Sequence, residues 1–301
     1  MIPSGSPARA LALAVAFSTC VLAAACSGKD APQAAAGTPP AVKSTAGPGV
    51  SLLGSPLDMP GLQRQRQVRI YVPPGYATSD KRYPVLYMHD GQNLFDNATA
   101  FAGEWGVDET LDALAREGRL ALIVVGIDNG GTHRINELNA WKGPYTQTPE
   151  GDAYLDFIVH TVKPLVDRTY RTLPDRAHTA IMGSSMGGLI SHYGITRYPE
   201  VFGKAGVFSP SYWAGPASID YLAAHPVAAD ARIYLLMGDQ EGDSMVPDVR
   251  RMAGLMRAAG TPEQNMTLEI VPGGAHNERM WSDALRRALL WLFEGPDAKA
   301  D

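Results

Sequence analysis

Residues 178–191 read His-Thr-Ala-Ile-Met-Gly-Ser-Ser-Met-Gly-Gly-Leu-Ile-Ser. Within them Gly183-Ser184-Ser185-Met186-Gly187 follows the pattern G-x-S-x-G, with Ser185 at its centre. The apolar run 180–182 before it has strand character, and residues 189–198 after it are patterned as a helix. A chain that turns this sharply from strand to helix has room only for small residues two positions either side of the serine, which Gly183 and Gly187 provide. Taken alone, five residues also fit an ordinary Gly/Ser turn. Read as a nucleophile elbow, the stretch makes demands on the rest of the chain. An acid and then a histidine must follow, and a second oxyanion donor must lie upstream.

Working outward, the runs 204–208, 233–237 and 266–271 are strand-like, with helical patterns at 218–224 and 245–259 between them. A last helix is expected over 278–293, with Trp281, Leu285, Leu289 and Leu292 along one face. Upstream, 65–72 alternates polar and apolar residues as a half-buried strand does, and 84–88 is more uniformly apolar. The unbroken apolar run 120–127 suits a parallel strand covered on both faces. Helices are expected at 107–117 and 152–170, the second kinked or divided at Pro164. Strands alternating with helices predict an α/β fold, a mostly parallel central sheet with helices on both faces. Ligands bind such sheets at the carboxyl ends of the strands, and the polar loops at 89–95, 128–149, 209–213, 238–243 and 272–276 all follow strands. The 128–149 loop carries His133, Arg134, Glu137, Asn139 and Trp141, and a loop of that length in a compact domain usually has a function.

The chain order nucleophile, acid, histidine points to the loop 238–243 and to His276. His276 lies in a Gly-rich loop before the final helix, from which an imidazole can reach over the elbow. Of the other histidines, His225 suits a helix end, His192 a packed or surface position on the elbow helix, His160 and His178 structural roles, and His133 a contact to substrate. Asp239, Glu241 and Asp243 share the acid loop. One of them would hold the imidazole Nδ1–H, and the others would be solvated. The oxyanion needs two backbone N–H groups: that of Met186, after the serine, and one from the turn His89-Asp90-Gly91-Gln92, with Gly91 and Gln92 as candidates. A plain strand-ending turn accounts for that glycine equally well.

The chain has 301 residues, 45% hydrophobic and 19% charged, as a globular protein with a sizeable core does. A net charge of −5 without a basic stripe argues against a nucleic-acid partner. Its two cysteines, Cys20 and Cys26, fall in the first 26 residues, so the folded part has neither a disulfide nor a thiolate metal site. Residues 1–26 read as a signal peptide: Arg9, an apolar run, then Leu22-Ala23-Ala24-Ala25-Cys26. Small residues before Cys26 are similar to a lipoprotein signal with Cys26 as the lipidated residue, although leucine stands four residues before it rather than three. An ordinary signal peptide cleaved after Ala25 is the alternative. The run is shorter than the ~20 residues of a membrane span. Either reading places the protein outside the cytoplasm, as a periplasmic lipoprotein tethered to the outer membrane or as a secreted protein. Residues 27–50, rich in Ala, Pro, Gly, Ser and Thr, predict a flexible linker. The catalytic domain then spans 51–296 and a short tail 297–301.

These residues resemble the putative esterase family of α/β-hydrolases, which includes enzymes similar to esterase D, feruloyl and acetyl-xylan esterases, siderophore esterases and the antigen 85 mycolyltransferases. The resemblance is carried by residues 87–95, Glu104-Trp105-Gly106-Val107-Asp108-Glu109, the 123–129 strand with Arg134 after it, 183–188, Phe208-Ser209-Pro210-Ser211-Tyr212-Trp213 and Gly273-Gly274-Ala275-His276. In that family the acid commonly lies three residues after a strand-ending glycine, which implies Glu241. The glutamate and tyrosine often found after the arginine are Glu137-Leu138 here, so the substrate loop has diverged. The resemblance implies an extracytoplasmic serine carboxylic-ester hydrolase working through a Ser185–His276–Glu241 triad and an acyl-enzyme. Carbohydrate and siderophore esters are the expected substrate classes. An acyltransferase on the same triad and a non-catalytic binding protein on the same fold are the alternatives. Trp105, Arg134, Tyr212 and Trp213 are candidates to line the substrate pocket, against plainer roles as core aromatics and a surface ion pair. Nothing in the sequence calls for a metal or an organic cofactor.

Overall fold

Alternation of apolar residues sets two faces on the strand β5 (Val85–His89): Val85 and Tyr87 join the core on one side of the sheet, Leu86 and Met88 the core on the other. A computed structural model describes residues 42–298; the targeting segment, Cys26 and the first part of the linker lie outside the described residues. In chain order the strands are β1 (Val50–Leu52), β2 (Leu57–Met59), β3 (Arg64–Arg66), β4 (Val68–Tyr71), β5, β6 (Ile123–Ile127), β7 (Thr179–Ser184), β8 (Lys204–Phe208), β9 (Arg232–Gly238) and β10 (Met266–Val271). Eight form one sheet in the order β1-β4-β6-β5-β7-β8-β9-β10, with β2 and β3 paired apart. The pairs from β6 to β10 are parallel, and β1 and β4 are antiparallel additions at one edge.

The helices are α1 (Val107–Arg116), α2 (Arg134–Glu137), α3 (Gly151–Phe157), α4 (Lys163–Thr169), α5 (Met186–Arg197), α6 (Ser218–Ala224), α7 (Met245–Ala258) and α8 (Glu278–Phe293). Val107, Leu111 and Leu114 of α1 and Leu285, Leu289 and Leu292 of α8 fill the core on one face. Residues of α3 to α7 fill the core on the other. The chain leaves β5 toward β6 and later returns to place β7 on the opposite side of β5. That reversal opens a crevice at the carboxyl ends of β5 and β7, where ligands bind in open α/β sheets.

Several boundaries differ from expectation. The 65–72 strand is broken at Gln67, because β3 turns aside to pair with β2 while β4 continues in the main sheet. Only 123–127 of the 120–127 run is strand. The 152–170 helix is interrupted just ahead of Pro164. A π turn over Ile158–Val162 joins α3 to α4 and absorbs the missing N–H and the ring's clash with the preceding turn. Residues 42–49, expected as linker, lie on the domain: Ser44 Oγ donates to Asp96 (2.9 Å), Thr45 Oγ1 to Glu104 (2.6 Å) and the Gly47 N–H to Asp108 (2.7 Å). Composition hid this, since small residues dock through their backbone and hydroxyls rather than by burying side chains. At the other end, Ala298 packs against the core, and the last three residues of the expected tail lie outside the described residues.

Candidate active site

Ser185 closes β7 and opens α5 with φ 60° and ψ −122°, a conformation costly for a residue with a side chain. Hydrogen bonds over-determine it. The Ser185 N–H donates to Phe208 O (2.9 Å), and Ser185 O accepts from Leu189 and Ser211 N–H (both 3.1 Å). The elbow glycines answer to specific neighbours. A Cβ on Gly183 would stand 2.9 Å from the His89 ring, and one on Gly188 2.5 Å from Phe208 O. Ser185 Oγ lies 3.2 Å from Ser211 Oγ and faces a cavity of about 330 Å³.

Among the three acid candidates the geometry separates one. Glu241 Oε2 is 2.6 Å from His276 Nδ1, and the Glu241 side chain is fully shielded from solvent. Its other oxygen accepts from the Gly238 N–H and the Ser209 hydroxyl, both at 2.6 Å. Ser209 in turn accepts from Trp281 Nε1 (2.9 Å). The carboxylate is thus saturated with donors and held in one orientation, which fixes the imidazole tautomer. Asp239 is exposed and accepts the Gly273 N–H (2.8 Å), bracing the histidine loop instead, and Asp243 is exposed. His276 lines the same cavity as Ser185. Next to it, Asn277 caps α8 by accepting the Met280 N–H (3.0 Å).

The cavity lies over the β5–β7 crevice. Arg134 and Asp90 form a two-point ion pair across it (2.7 and 2.9 Å), and Asn129 adds a third hydrogen bond to Asp90 (2.8 Å). Burial by itself would raise the Asp90 carboxyl; Arg134 and Asn129 outweigh it and hold it below its usual range. Beneath the crevice, His89 Nδ1 bonds Tyr154 OH (2.7 Å). Burial holds the His89 imidazole down at about 4 against the pull of Asp90, so it is neutral. Trp105, Trp281 and the exposed Phe101 supply the apolar wall. Trp105 is itself nearly buried, stacked on Phe208 (5.6 Å).

The other expected residues are placed less uniformly. Met186 begins α5, adjacent to the serine. The Gly91–Gln92 turn ends β5 beside it, but Gly91 is packed against β6, where a Cβ would stand 2.7 Å from the Gly126 carbonyl carbon. Gln92 faces a neighbouring depression with Thr99 and Asp128. Tyr212 does not line the cavity: it is buried behind the elbow with its hydroxyl 2.9 Å from His192 Nδ1. The core on that face absorbs the ring. Trp213, next in sequence, is exposed and meets Tyr145 edge to face (4.9 Å) over a second depression that shares His276 and Glu241. Asp90, Asn129, Ser209, Ser211 and Trp281 had no assigned role in the sequence. The signal was present for Asp90, Asn129, Ser209 and Ser211, all inside quoted motifs, and Asp90 and Ser209 have φ 54° and 44°; Trp281 was read only as part of the apolar face of the last helix.

Residues 60–292 match the family model described as putative esterase. The chain belongs to the putative esterase family. The coarse chemistry of this esterase follows: carboxylic ester hydrolysis. It is 26% identical over 242 residues to the uncharacterized protein YbbA of Bacillus subtilis, covering 76% of this chain and 92% of that one. Among solved structures it is similar to the siderophore hydrolase EstB of Aspergillus nidulans, with TM-score 0.68, 18% identity, and 86% and 99% of the two chains covered. The enterobactin esterase of Shigella flexneri matches with TM-score 0.66 and 22% identity over 83% of this esterase and 60% of that chain. At these identities the two structures show the shared fold.

Proposed function

We propose that this esterase is an extracytoplasmic serine hydrolase in which Ser185, His276 and Glu241 act as a triad. The observation that carries the reading is Glu241: a carboxylate shielded from solvent, bonded to His276 Nδ1 at 2.6 Å, over the cavity that the strained Ser185 faces. In this mechanism His276 Nε2 takes the proton of Ser185 Oγ as the oxygen attacks an ester carbonyl. Glu241 stabilises the imidazolium. The Met186 N–H and a backbone N–H of the Gly91–Gln92 turn receive the oxyanion. The imidazolium gives its proton to the leaving alcohol, and water then repeats the sequence on the acyl-enzyme. A cavity of about 330 Å³ with one aromatic wall and one ion-paired wall suits a small ester carrying both apolar and polar groups. Carbohydrate and siderophore esters fall in that class. Export rests on the apolar run before Cys26, which as a lipidated residue would tether the enzyme to a membrane surface.

One experiment tests both parts. Cells producing the full chain are fractionated, and cleavage of p-nitrophenyl acetate is assayed in each fraction. Activity is expected in the extracytoplasmic fraction and should fall to background with Ser185→Ala. Undiminished activity in that variant would remove the serine assignment, and activity confined to the cytoplasm would remove the location.

A further inference from the structure

A second polar site stands outside the catalytic cavity, where segment 42–49 crosses the start of α1. Glu104, Asp108 and Glu109 each present an oxygen there, and the three oxygens lie within 4.8 Å of one another. Among the described residues none of the three carboxylates has a Lys or Arg ion-pair partner, although sixteen such pairs or His pairs occur elsewhere in the domain. Two of the carboxylates are half satisfied. Asp108, only 2% exposed, accepts the Gly47 N–H at Oδ2, while no N–H or hydroxyl donor reaches its buried Oδ1 and its remaining neighbour is the Glu109 carboxyl. Glu104 accepts the Thr45 hydroxyl at Oε2 and leaves Oε1 buried without one. Buried carboxylate oxygens without donors are costly, and a like-charged neighbour adds to the cost.

We propose that Glu104, Asp108 and Glu109 bind a calcium-class divalent cation, with segment 42–49 closing one side of the site. The ligand chemistry selects the ion. Three carboxylates without histidine or thiolate suit a hard cation. Two oxygens on one Ca²⁺ can be no farther apart than twice a bond of ~2.4 Å, about 4.8 Å, and the three oxygens lie within that limit. Water would complete the coordination on the side of the exposed Glu109. The site also has a structural consequence. Trp105, between Glu104 and α1, lines the catalytic cavity, and the Trp105 carbonyl accepts from Ser282 of α8 (2.6 Å). A cation here fastens the N-terminal segment and one wall of the cavity to the same helix start. The proposal does not depend on the triad.

The competing occupant is a proton, since burial and the neighbouring Glu109 carboxyl push the Asp108 carboxyl up to about 7. The test is therefore made at pH 8 on the purified protein after chelation. Ca²⁺ at a hundredfold excess over its Kd is expected to raise Tm by roughly 5–10 °C. Tb³⁺ bound in its place should luminesce on tryptophan excitation, with Ca²⁺ displacing it. Glu109→Gln, an exposed change compatible with folding, should weaken Tb³⁺ binding at least tenfold, and Asp108→Asn should abolish it. A Tm unmoved by Ca²⁺ or chelator at pH 8 would overturn the proposal, as would Tb³⁺ binding that Glu109→Gln leaves within twofold. If Tm instead rises as pH falls through 7 without any response to Ca²⁺, the carboxylates hold a proton and the cation site is refuted.

Discussion

Glu241 shows how much a single residue's role depends on where its two oxygens go. One oxygen faces His276, and the other is occupied by the Gly238 N–H and Ser209. A carboxylate so placed neither rotates nor trades its partner for water. Glu241→Gln preserves the shape but offers an amide, which can present an N–H where the imidazole needs an acceptor. That favours the wrong tautomer. In the proposed mechanism kcat is expected to fall about 10³–10⁴-fold, with KM for p-nitrophenyl acetate nearly unchanged. A fall of less than tenfold in steady-state assays would move the acid role elsewhere. The only candidates in that loop, Asp239 and Asp243, are exposed.

At the scale of elements, the 128–149 loop is held by charges that sit under it. Glu137 at the end of α2 is 1% exposed and accepts from Arg66 (2.7 and 2.9 Å) and Arg64 (2.8 Å), and Arg64 also reaches Glu150 (2.8 and 3.0 Å). The small β2–β3 sheet carries both arginines, which explains why β3 leaves the line of β4. Farther along, Trp141 wedges against Tyr193 and Tyr221, and Asn139 donates to Ala214 O (3.2 Å). Glu137→Ala leaves the nearly buried Arg66 guanidinium without a carboxylate, while Arg64 keeps Glu150. It is expected to destabilise the domain by about 3–5 kcal/mol, measurable as a lowered urea midpoint. A change under 1 kcal/mol would mean that Glu150 alone satisfies the arginines.

For the whole molecule, pH acts through buried histidines. Burial holds His89 down at about 4 and His192 at about 3, against 6.5 when exposed. Between these values the unfolded chain binds protons that the folded chain refuses. Stability is therefore complete above about pH 6.5 and is lost as pH falls toward 4 and below. Shifts of this size correspond to roughly 3–5 kcal/mol per histidine. The Asp108 carboxyl, pushed up to about 7, gains stability on protonation and offsets about one of the two histidines; the expected outcome is a net decline of Tm from pH 6.5 to 4.5. A Tm unchanged over the acidic range in calorimetry would contradict the assignment of both imidazoles as neutral and buried.

The order of the chain was enough to read the central architecture. Apolar runs with period 2 and helices with period 3.6 alternate, and glycines flank Ser185 where the turn needs them; these are local properties that each segment carries in its own residues. The identities of Ser185 and His276 as candidates follow from the same local logic, because a strand–serine–helix junction and a Gly-rich loop before the last helix are visible without coordinates. Other features depend on partners far apart in sequence. Tyr212 and Trp213 are adjacent, yet one is buried against His192 and the other is exposed beside Tyr145, since the side of the elbow each faces is set by α5 and the loop above it. Asp90 finds Arg134 only because β5 and β6 are neighbours in the sheet. The docking of 42–49 and the gathering of Glu104, Asp108 and Glu109 depend on where the N-terminal segment crosses α1. Periodicity determined what each element is. Which charges meet across elements was decided by the packing that brings them together, because an ion pair or a shared cation is a property of distance in space and leaves no mark on spacing along the chain.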